Sequence, residues 1–142
     1  MSFQVSIPFG FTMMHVQDAS SLEEDLFVHG HGVHGRVVFR ARCLLPSMEV
    51  VTRAALSSLV GDIVSSWNDC TFASERWLQE NTLPAHRKVA RVHVNPTPEI
   101  LTERLYGEVK GIVAGWGFAN VLQIEKVMLD FDGHRVEFES GK

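Results

Sequence analysis

The dipeptide Asp132-Gly133 is the feature that most restricts how this chain can fold. It lies between two runs of strand-forming residues, Asn120 to Leu129 and His134 to Phe138. Asp-Gly in this setting is a strong signal for a two-residue turn between antiparallel strands, because Asp and Gly tolerate the positive φ angles of such turns. The C-terminal part of the chain is therefore predicted to be a β-hairpin.

The N-terminal part of the chain predicts two further strands. Residues 3–16 are rich in apolar, aromatic and β-branched side chains, which favours a first strand. A second strand is expected from near Val33 to Leu45, where Pro46 would end it. Residues 17–28, between the two, are polar and typical of a loop.

Two helices are expected between these pairs of strands. Thr52 can cap the first helix, whose apolar residues recur at helical spacing as far as Trp67. The second begins in the segment NPTPE, where Thr97 is the predicted N-cap, a proline follows at the first helical position and Glu99 lies in the first turn. This helix is expected to end at Gly115 or Gly117.

Residues 68–94 are harder to interpret, since a helical piece around residues 74–80 and an extended segment over residues 89–94 are both possible. The expected order is ββααββ, or αβα in the middle. The chain has 142 residues and is 45% hydrophobic, which suits a single domain over residues 1–142. We expect an α+β fold, with a four-stranded antiparallel sheet and two main helices on one face. Oligomerisation would be the natural way to cover the other face.

Composition narrows the possible functions. The net charge is −4 and the sequence has no block of Lys and Arg, so no nucleic-acid partner is expected. No apolar run approaches the roughly 20 residues of a membrane span, and residues 1–5 lack the charged start of a signal peptide. Cys43 and Cys70 form no spacing motif and are expected to be reduced and buried, as in a cytoplasmic protein.

Histidines form the most informative candidate site. His29 and His31 are two residues apart, so on an extended backbone both side chains point to the same face. His15 ends the first predicted strand, which could pair alongside. Three imidazoles on neighbouring strands can hold a zinc ion with its fourth position open. The alternative is a set of surface or hydrogen-bonded imidazoles, as expected for His34, which has the wrong parity, and for the scattered His86, His93 and His134.

Three motifs together resemble the 6-pyruvoyltetrahydropterin synthase and 6-carboxytetrahydropterin synthase family. Phe11 to His15 (FTMMH) resembles its Phe-x-x-x-His at the end of the first strand. His29 to Val33 (HGHGV) resembles its His-Gly-His-Asn-Tyr, and Asn95 to Glu99 (NPTPE) resembles its Asn-Pro-Thr-x-Glu at the start of the second helix. The order and spacing of the motifs agree over essentially the whole chain.

The resemblance implies the tunnelling fold, or T-fold, in which small subunits assemble into rings and their strands form an oligomeric barrel. Active sites in this fold lie between subunits. It also implies Zn²⁺ bound by His15, His29 and His31, a reduced pterin as ligand, and a homo-trimer or homo-hexamer.

The chain departs from the family at the positions that move protons. The family's nucleophilic cysteine precedes its His-Gly-His by four residues, and that position is Asp25 here, with Glu24 beside it. The family's Asp-His pair at the end of the first helix aligns with Asn68 and Asp69. Asp25 (or Glu24) and Asp69 are therefore the candidate catalytic residues. For Asp25 and its acidic neighbours, a solvated loop is the alternative.

The ligand-anchoring glutamate of the family aligns with Lys126 in the simplest register, and Glu125 is one residue away. An ammonium group cannot accept hydrogen bonds from the paired N–H donors of a pterin, whereas a β-bulge would bring Glu125 into place. Thr97, Glu99 and Glu125 are the candidate substrate-binding residues.

The resemblance implies a zinc-dependent synthase or lyase that acts on a dihydroneopterin-type substrate, in pterin or 7-deazapurine pathways such as queuosine biosynthesis. The altered residues leave a second expectation open, a catalytically inactive T-fold paralogue that binds a pterin- or purine-like ligand. Hydrolysis by a zinc-bound water is a third and weaker expectation.

Overall fold

The computed structural model describes residues 2–17, 27–42, 53–117, 121–139 and 141. Several predicted features lie outside these residues, among them Asp25 with Glu24, Cys43 and the Thr52 cap. Within the described residues the structure has these elements in chain order: β1 (Ser2–His15), β2 (His29–Arg42), α1 (Arg53–Trp67), β3 (Cys70–Ser74), α2 (Glu75–Glu80), β4 (Lys88–Val92), α3 (Pro98–Gly115), β5 (Leu122–Phe131) and β6 (His134–Glu139).

The strands of the described residues form one six-stranded sheet in the order β4-β3-β1-β2-β5-β6. The β1–β2, β2–β5 and β5–β6 pairs are antiparallel, whereas β3 lies parallel to both β1 and β4. The α+β class is thus confirmed, but the four-stranded antiparallel sheet and the order ββααββ are wrong. The antiparallel part is the predicted one, and two short parallel strands extend it beyond β1.

The strand missed by sequence analysis, β3, is buried along its whole length, CTFAS. A strand buried on both faces shows no apolar–polar alternation, so periodicity gives no signal for it. The single-turn helix α2 and the strand β4 both fall within the segment where helical and extended pieces were each thought possible. Both pieces are present, one after the other.

The two long helices pack on the same face of the sheet, as predicted. Leu56 and Leu105, on α1 and α3, join the core cluster that contains alternate residues of β1 such as Ile7, Phe11 and Met13. The N-cap of α3 is confirmed, since the Thr97 side chain accepts a hydrogen bond from the Ile100 amide at 3.3 Å. None of the described helices is long and apolar enough to span a membrane.

The predicted C-terminal hairpin is confirmed. Asp132 and Gly133 have φ angles of 53° and 100°, as a two-residue turn of this kind requires. The turn joins Phe131 directly to its partner His134. Because Val33 of β2 pairs with Phe131, the turn lies beside the start of β2. The hairpin therefore brings its turn next to the His-Gly-His segment.

Candidate metal centre

The register of β1 and β2 brings three histidines together at one end of the sheet. His15 lies opposite His29, and Met13 lies opposite His31, so all three imidazoles share the face that carries the helices. Their ring centroids are 4.5 to 4.9 Å apart. His15 is fully buried, and His29 and His31 are half-buried. The predicted convergence of these three side chains is confirmed.

Each imidazole is held from outside the cluster through its Nδ1 atom. Nδ1–H of His15 donates to the Pro96 carbonyl oxygen at 2.7 Å, and Nδ1–H of His29 donates to the Phe27 carbonyl oxygen at 2.8 Å. Nδ1 of His31 lies 2.9 Å from a carboxylate oxygen of Asp132. Carbonyls and carboxylates only accept hydrogen bonds, so Nδ1 must carry the hydrogen in each ring. In a neutral imidazole of this kind Nε2 has a lone pair, and it is the atom that can bind a metal.

The inward atoms of the cluster fit a cation. Nε2 of His15 and Nε2 of His31 are 3.0 Å apart. With both Nδ1 atoms protonated, two neutral rings would point lone pairs at each other, an arrangement that a shared proton or a metal ion relieves. One ligand nitrogen from each of the three residues lies within 4.8 Å of the others. Nitrogens bound about 2.0–2.1 Å from a tetrahedral zinc ion lie about 3.3 Å apart, which is close to the 3.0 Å between the Nε2 atoms of His15 and His31.

The chemistry of this donor set matches zinc with an open coordination position. Three neutral imidazoles bound through Nε2, with carbonyl or carboxylate groups on Nδ1, form the ligand shell of many catalytic zinc sites. Structural zinc sites use four protein ligands instead. Of the His, Cys, Asp and Glu residues that the structure describes, His15, His29 and His31 form the one such group.

The NPTPE segment borders the metal centre on the helix side. Its Pro96 carbonyl holds His15, and Thr97 uses its side chain to cap α3. Glu99 lies in the first turn of α3 and accepts a hydrogen bond from Nε2 of His134 at 3.2 Å. Burial alone would raise the pKa of the Glu99 carboxyl, but its own backbone N–H and the His134 imidazole outweigh burial and lower it. Glu99 is thus held ionised in the first turn of α3, and His134 is an exposed, hydrogen-bonded imidazole, as the sequence indicated.

Asp69 directly precedes β3 at the histidine end of the sheet, and its carboxylate is already hydrogen-bonded. It has a φ angle of 58°, and its carboxylate accepts a hydrogen bond from the Thr12 hydroxyl at 2.6 Å. Asn68 accepts from the Thr12 amide at 3.0 Å. A cavity of about 340 Å³ is lined by Asp69 and Thr12 together with His31. Thr12 has the opposite strand parity to His15, so its bond holds the Asp69 carboxylate on the face of the sheet away from the three imidazoles.

Glu125 lies at the opposite end of the sheet from the histidines. The β2–β5 register shifts between Val38 and Phe39, which pair with Lys126 and Ile124, so Glu125 is the extra residue of a β-bulge. Its carboxylate accepts hydrogen bonds from Arg40 at 2.6 Å and from Gln4 at 2.8 Å. Gln4 is eleven residues from His15 along β1, which corresponds to about 36 Å of strand. Glu125 and the histidines of one chain cannot contact the same small ligand.

Cys70 is buried, as expected, and pairs with Met13 across the β1–β3 ladder. Burial raises the pKa of its thiol, and the nearby Lys88 and Arg104 offset this only in part. A protonated buried thiol is a poor nucleophile. His34 lies on the other face of β2, over Gly10, as its parity predicts.

Asp132 is the site residue that sequence analysis missed. The Asp-Gly pair was interpreted only as a turn, which accounts for both residues without any role for the carboxylate. The signal lies in long-range register, because the β2–β5 pairing is what brings the turn to His31.

No protein-family model matches the chain, and no curated protein matches it by sequence. Solved structures do match over almost its entire length. The 6-pyruvoyl tetrahydropterin synthase of Plasmodium vivax has a TM-score of 0.78 at 8% identity and covers 100% of this chain and 99% of its own. The Plasmodium falciparum enzyme has a TM-score of 0.76 at 11% identity, with 99% of each chain covered. An uncharacterised protein, WS1659 of Wolinella succinogenes, has a TM-score of 0.74 at 13% identity, with 99% of each chain covered.

These likenesses define the class of the fold: the chain has the T-fold of the 6-pyruvoyl tetrahydropterin synthases. Identities of 8–13% show the fold alone. What this chain does must be argued from its own site, which is a group of three histidines with the donor chemistry of a zinc centre.

Proposed function

We propose that this protein is a zinc-dependent synthase or lyase of the 6-pyruvoyl- or 6-carboxytetrahydropterin synthase type, which acts on a dihydroneopterin-type substrate. The observation that carries the proposal is the orientation of His15, His29 and His31. Their Nδ1 atoms are held from outside, and one ligand nitrogen from each lies within 4.8 Å of the others. The T-fold of the solved pterin synthases supports a pterin as the ligand.

A zinc ion bound by these residues would act as a Lewis acid toward the side-chain oxygens of the pterin and make neighbouring protons more acidic. Proton transfer then needs a base from the protein. We assign this role to Asp25, four residues before His29 in sequence, with Glu24 as the neighbouring candidate. A carboxylate in this role is supported by the Plasmodium vivax synthase, which was also solved as a variant whose catalytic glutamate is replaced by alanine.

Asp69 is the second candidate for proton transfer. It directly precedes β3 at the histidine end of the sheet, and its hydrogen bond from Thr12 holds the carboxylate in one position. Because this bond also holds the carboxylate on the sheet face away from the imidazoles, we give Asp69 only a secondary role beside Asp25.

We also propose that the working site forms between copies of the chain, as a homo-trimer or homo-hexamer. Support comes from the distance between the candidate ligand-binding residues, since about 36 Å of strand separates His15 from Gln4, the partner of Glu125. A pterin is far shorter than this, so a site that uses both Glu125 and the histidines needs two chains. Light scattering of the purified protein tests the assembly.

A specific observation favours a second function, a T-fold protein that binds a pterin- or purine-like ligand without converting it. The carboxylates of Asp69 and Glu125 are both engaged within the chain, by Thr12 and by Arg40 with Gln4. Each carboxylate would have to break its present hydrogen bonds before it could bind a substrate or accept a proton from it.

Zinc content followed by product analysis tests these functions. Protein purified without a metal-affinity tag should contain about one zinc per chain by elemental analysis. It should then convert 7,8-dihydroneopterin triphosphate or 7,8-dihydroneopterin, as followed by chromatography. Tight binding of these compounds without conversion would support the second function. A protein that stays metal-free after zinc is added would rule out the synthase proposal.

Replacement of the proposed base sharpens the test. Asp25→Ala should keep one zinc per chain and lose turnover by about 10²–10⁴-fold, the usual contribution of a general base. Glu24→Ala is the matched variant, because it removes the adjacent carboxylate. Loss of turnover in Glu24→Ala alone would move the role to Glu24, and full turnover in both variants would remove both carboxylates from the mechanism.

A further inference from the structure

The turn between β5 and β6 makes a contact with the metal centre that the proposed reaction does not use. Oδ2 of Asp132 accepts the Nδ1–H of His31 at 2.9 Å. His15 and His29 donate instead to the backbone carbonyls of Pro96 and Phe27. Of these three outer contacts, the one from Asp132 alone comes from a side chain and carries a negative charge.

We propose that Asp132 is a positioning residue that fixes His31 in the Nδ1–H form and so makes Nε2 its ligand atom. The proposal deepens the zinc centre proposed above and rests on it. A carboxylate hydrogen-bonded to a ligating imidazole sets the tautomer, orients the ring and makes the ring nitrogen a stronger donor to the metal. His31 is half-buried and thus has room to rotate that the fully buried His15 lacks, so it needs such a partner more than His15 does.

The turn that carries Asp132 is held in place by the neighbouring strands. Oδ1 of Asp130 accepts a hydrogen bond from the Gly133 amide at 2.6 Å, which braces the turn from the preceding strand. The pairing of Val33 with Phe131 fixes the turn beside His31. The His31 ring also packs edge-on against Phe131, with ring centroids 6.2 Å apart. The imidazole is thereby located both by its contact with the Phe131 ring and by its Nδ1 hydrogen bond.

The needs of the turn do not explain why residue 132 is an aspartate. At a φ angle of 53°, Asn or Gly would serve the turn as well as Asp does. Asp132→Gly therefore keeps the turn and removes the carboxylate. Asp132→Asn keeps a side-chain oxygen that can accept from Nδ1–H but removes the charge.

The first measurement uses the metal-free protein, so that it does not depend on zinc or on activity. Nitrogen-15 NMR of the imidazoles reports which nitrogen of His31 carries the hydrogen. We expect the Nδ1–H form in the native chain and its loss in Asp132→Gly. Glu137→Gln is the matched control, since it removes one carboxylate from the same hairpin, on β6, where Glu137 faces Lys126 at 4.0 Å. This control should leave the His31 signals unchanged.

The second measurement is the zinc dissociation constant, by competition with a chelating dye. Asp132→Gly should weaken binding about 10–100-fold, the usual effect of losing an outer partner of a metal ligand. The zinc dissociation constant of Asp132→Asn should lie between those of Asp132→Gly and the native chain. That of Glu137→Gln should equal the native value. Native tautomer and native affinity in Asp132→Gly would overturn the proposal. If the native chain binds no zinc, the zinc centre fails, while the NMR result still decides whether Asp132 sets the form of His31.

Discussion

The two ends of the β1–β2 ladder each carry a cluster of polar side chains, and the two clusters are balanced in opposite ways. At one end, the Nε2 atoms of His15 and His31 face each other at 3.0 Å. The Nδ1–H of each ring donates to a group outside the cluster. At the other end, the Glu125 carboxylate accepts hydrogen bonds from Arg40 and Gln4, so that negative and positive charge meet within the chain.

This difference indicates that the histidine cluster, and not the Glu125 cluster, is suited to bind a cation. The Nε2 atoms at the histidine end are all hydrogen-bond acceptors, so they repel one another. A bound cation would remove this repulsion. Complementary groups satisfy one another and leave no such demand. The number of polar residues is similar at the two ends, so it is the balance of donors and acceptors that separates a candidate metal site from an internal ion pair.

Removal of a histidine from the first end should have the largest effect. His29→Ala takes away one of three ligands, so zinc affinity should fall by more than about 100-fold, beyond the usual loss for an outer partner. Zinc at 100 times its dissociation constant should stabilise the native chain by about 2.7 kcal/mol. This corresponds to a rise in Tm of roughly 5–10 °C, which the variant should lose. Calorimetry with and without zinc measures both effects.

The matched control for that experiment is His34→Ala. His34 is on the same strand but faces the other side of the sheet, over Gly10. The His34→Ala variant should therefore keep the zinc-dependent rise in Tm. Equal losses in both variants would mean that the response to zinc comes from scattered surface imidazoles and not from the cluster.

A change at the second end should have a smaller effect and leave zinc binding alone. Glu125→Gln weakens the contact with Arg40, whose side chain is 53% exposed, so the free energy of unfolding should fall by no more than about 1 kcal/mol. Urea unfolding measures this, with Lys126→Gln as the adjacent control. A zinc dissociation constant that shifts with Glu125→Gln would show that the two ends are linked, for example through a neighbouring copy.

Sequence reasoning succeeded where local signals decide the structure. The turn at Asp132-Gly133 and the Thr97 cap each depend on a few adjacent residues, and both are present as predicted. The convergence of His15 with His29 and His31 followed from strand parity and from the resemblance to known motifs. The second strand was predicted to begin only near Val33, but β2 begins at His29, so both histidines lie on the strand and parity applies to them.

The rest depends on register between distant segments, which local sequence does not encode. The β2–β5 pairing brings Asp132 to His31, and a bulge in the same pairing turns Glu125 toward Arg40. Strand β3 forms because β1 and β4 enclose it, although its own five residues show no strand pattern. Tertiary context therefore decided the outer partners of the site and the width of the sheet.

The smallest expected effect concerns the thiol at the metal end of the sheet. Burial raises the pKa of Cys70 in the folded chain, whereas the unfolded thiol ionises at about 8.5. Above that pH the unfolded chain releases a proton that the folded chain keeps, so stability is full below about pH 8.5 and declines as the pH rises toward the folded pKa. The decline can reach no more than about 1.4 kcal/mol per pH unit.

Urea unfolding of the metal-free protein at pH 7.5 and 9.5 compares the native chain with Cys70→Ala. The variant should show the smaller loss between the two pH values, and the difference between the chains isolates Cys70 from all other groups. Zinc stoichiometry should be the same in both, because the thiol is buried against Met13 and is not one of the converging ligands. A loss of zinc in Cys70→Ala would instead bring the thiol into the centre and make its ligand set four rather than three.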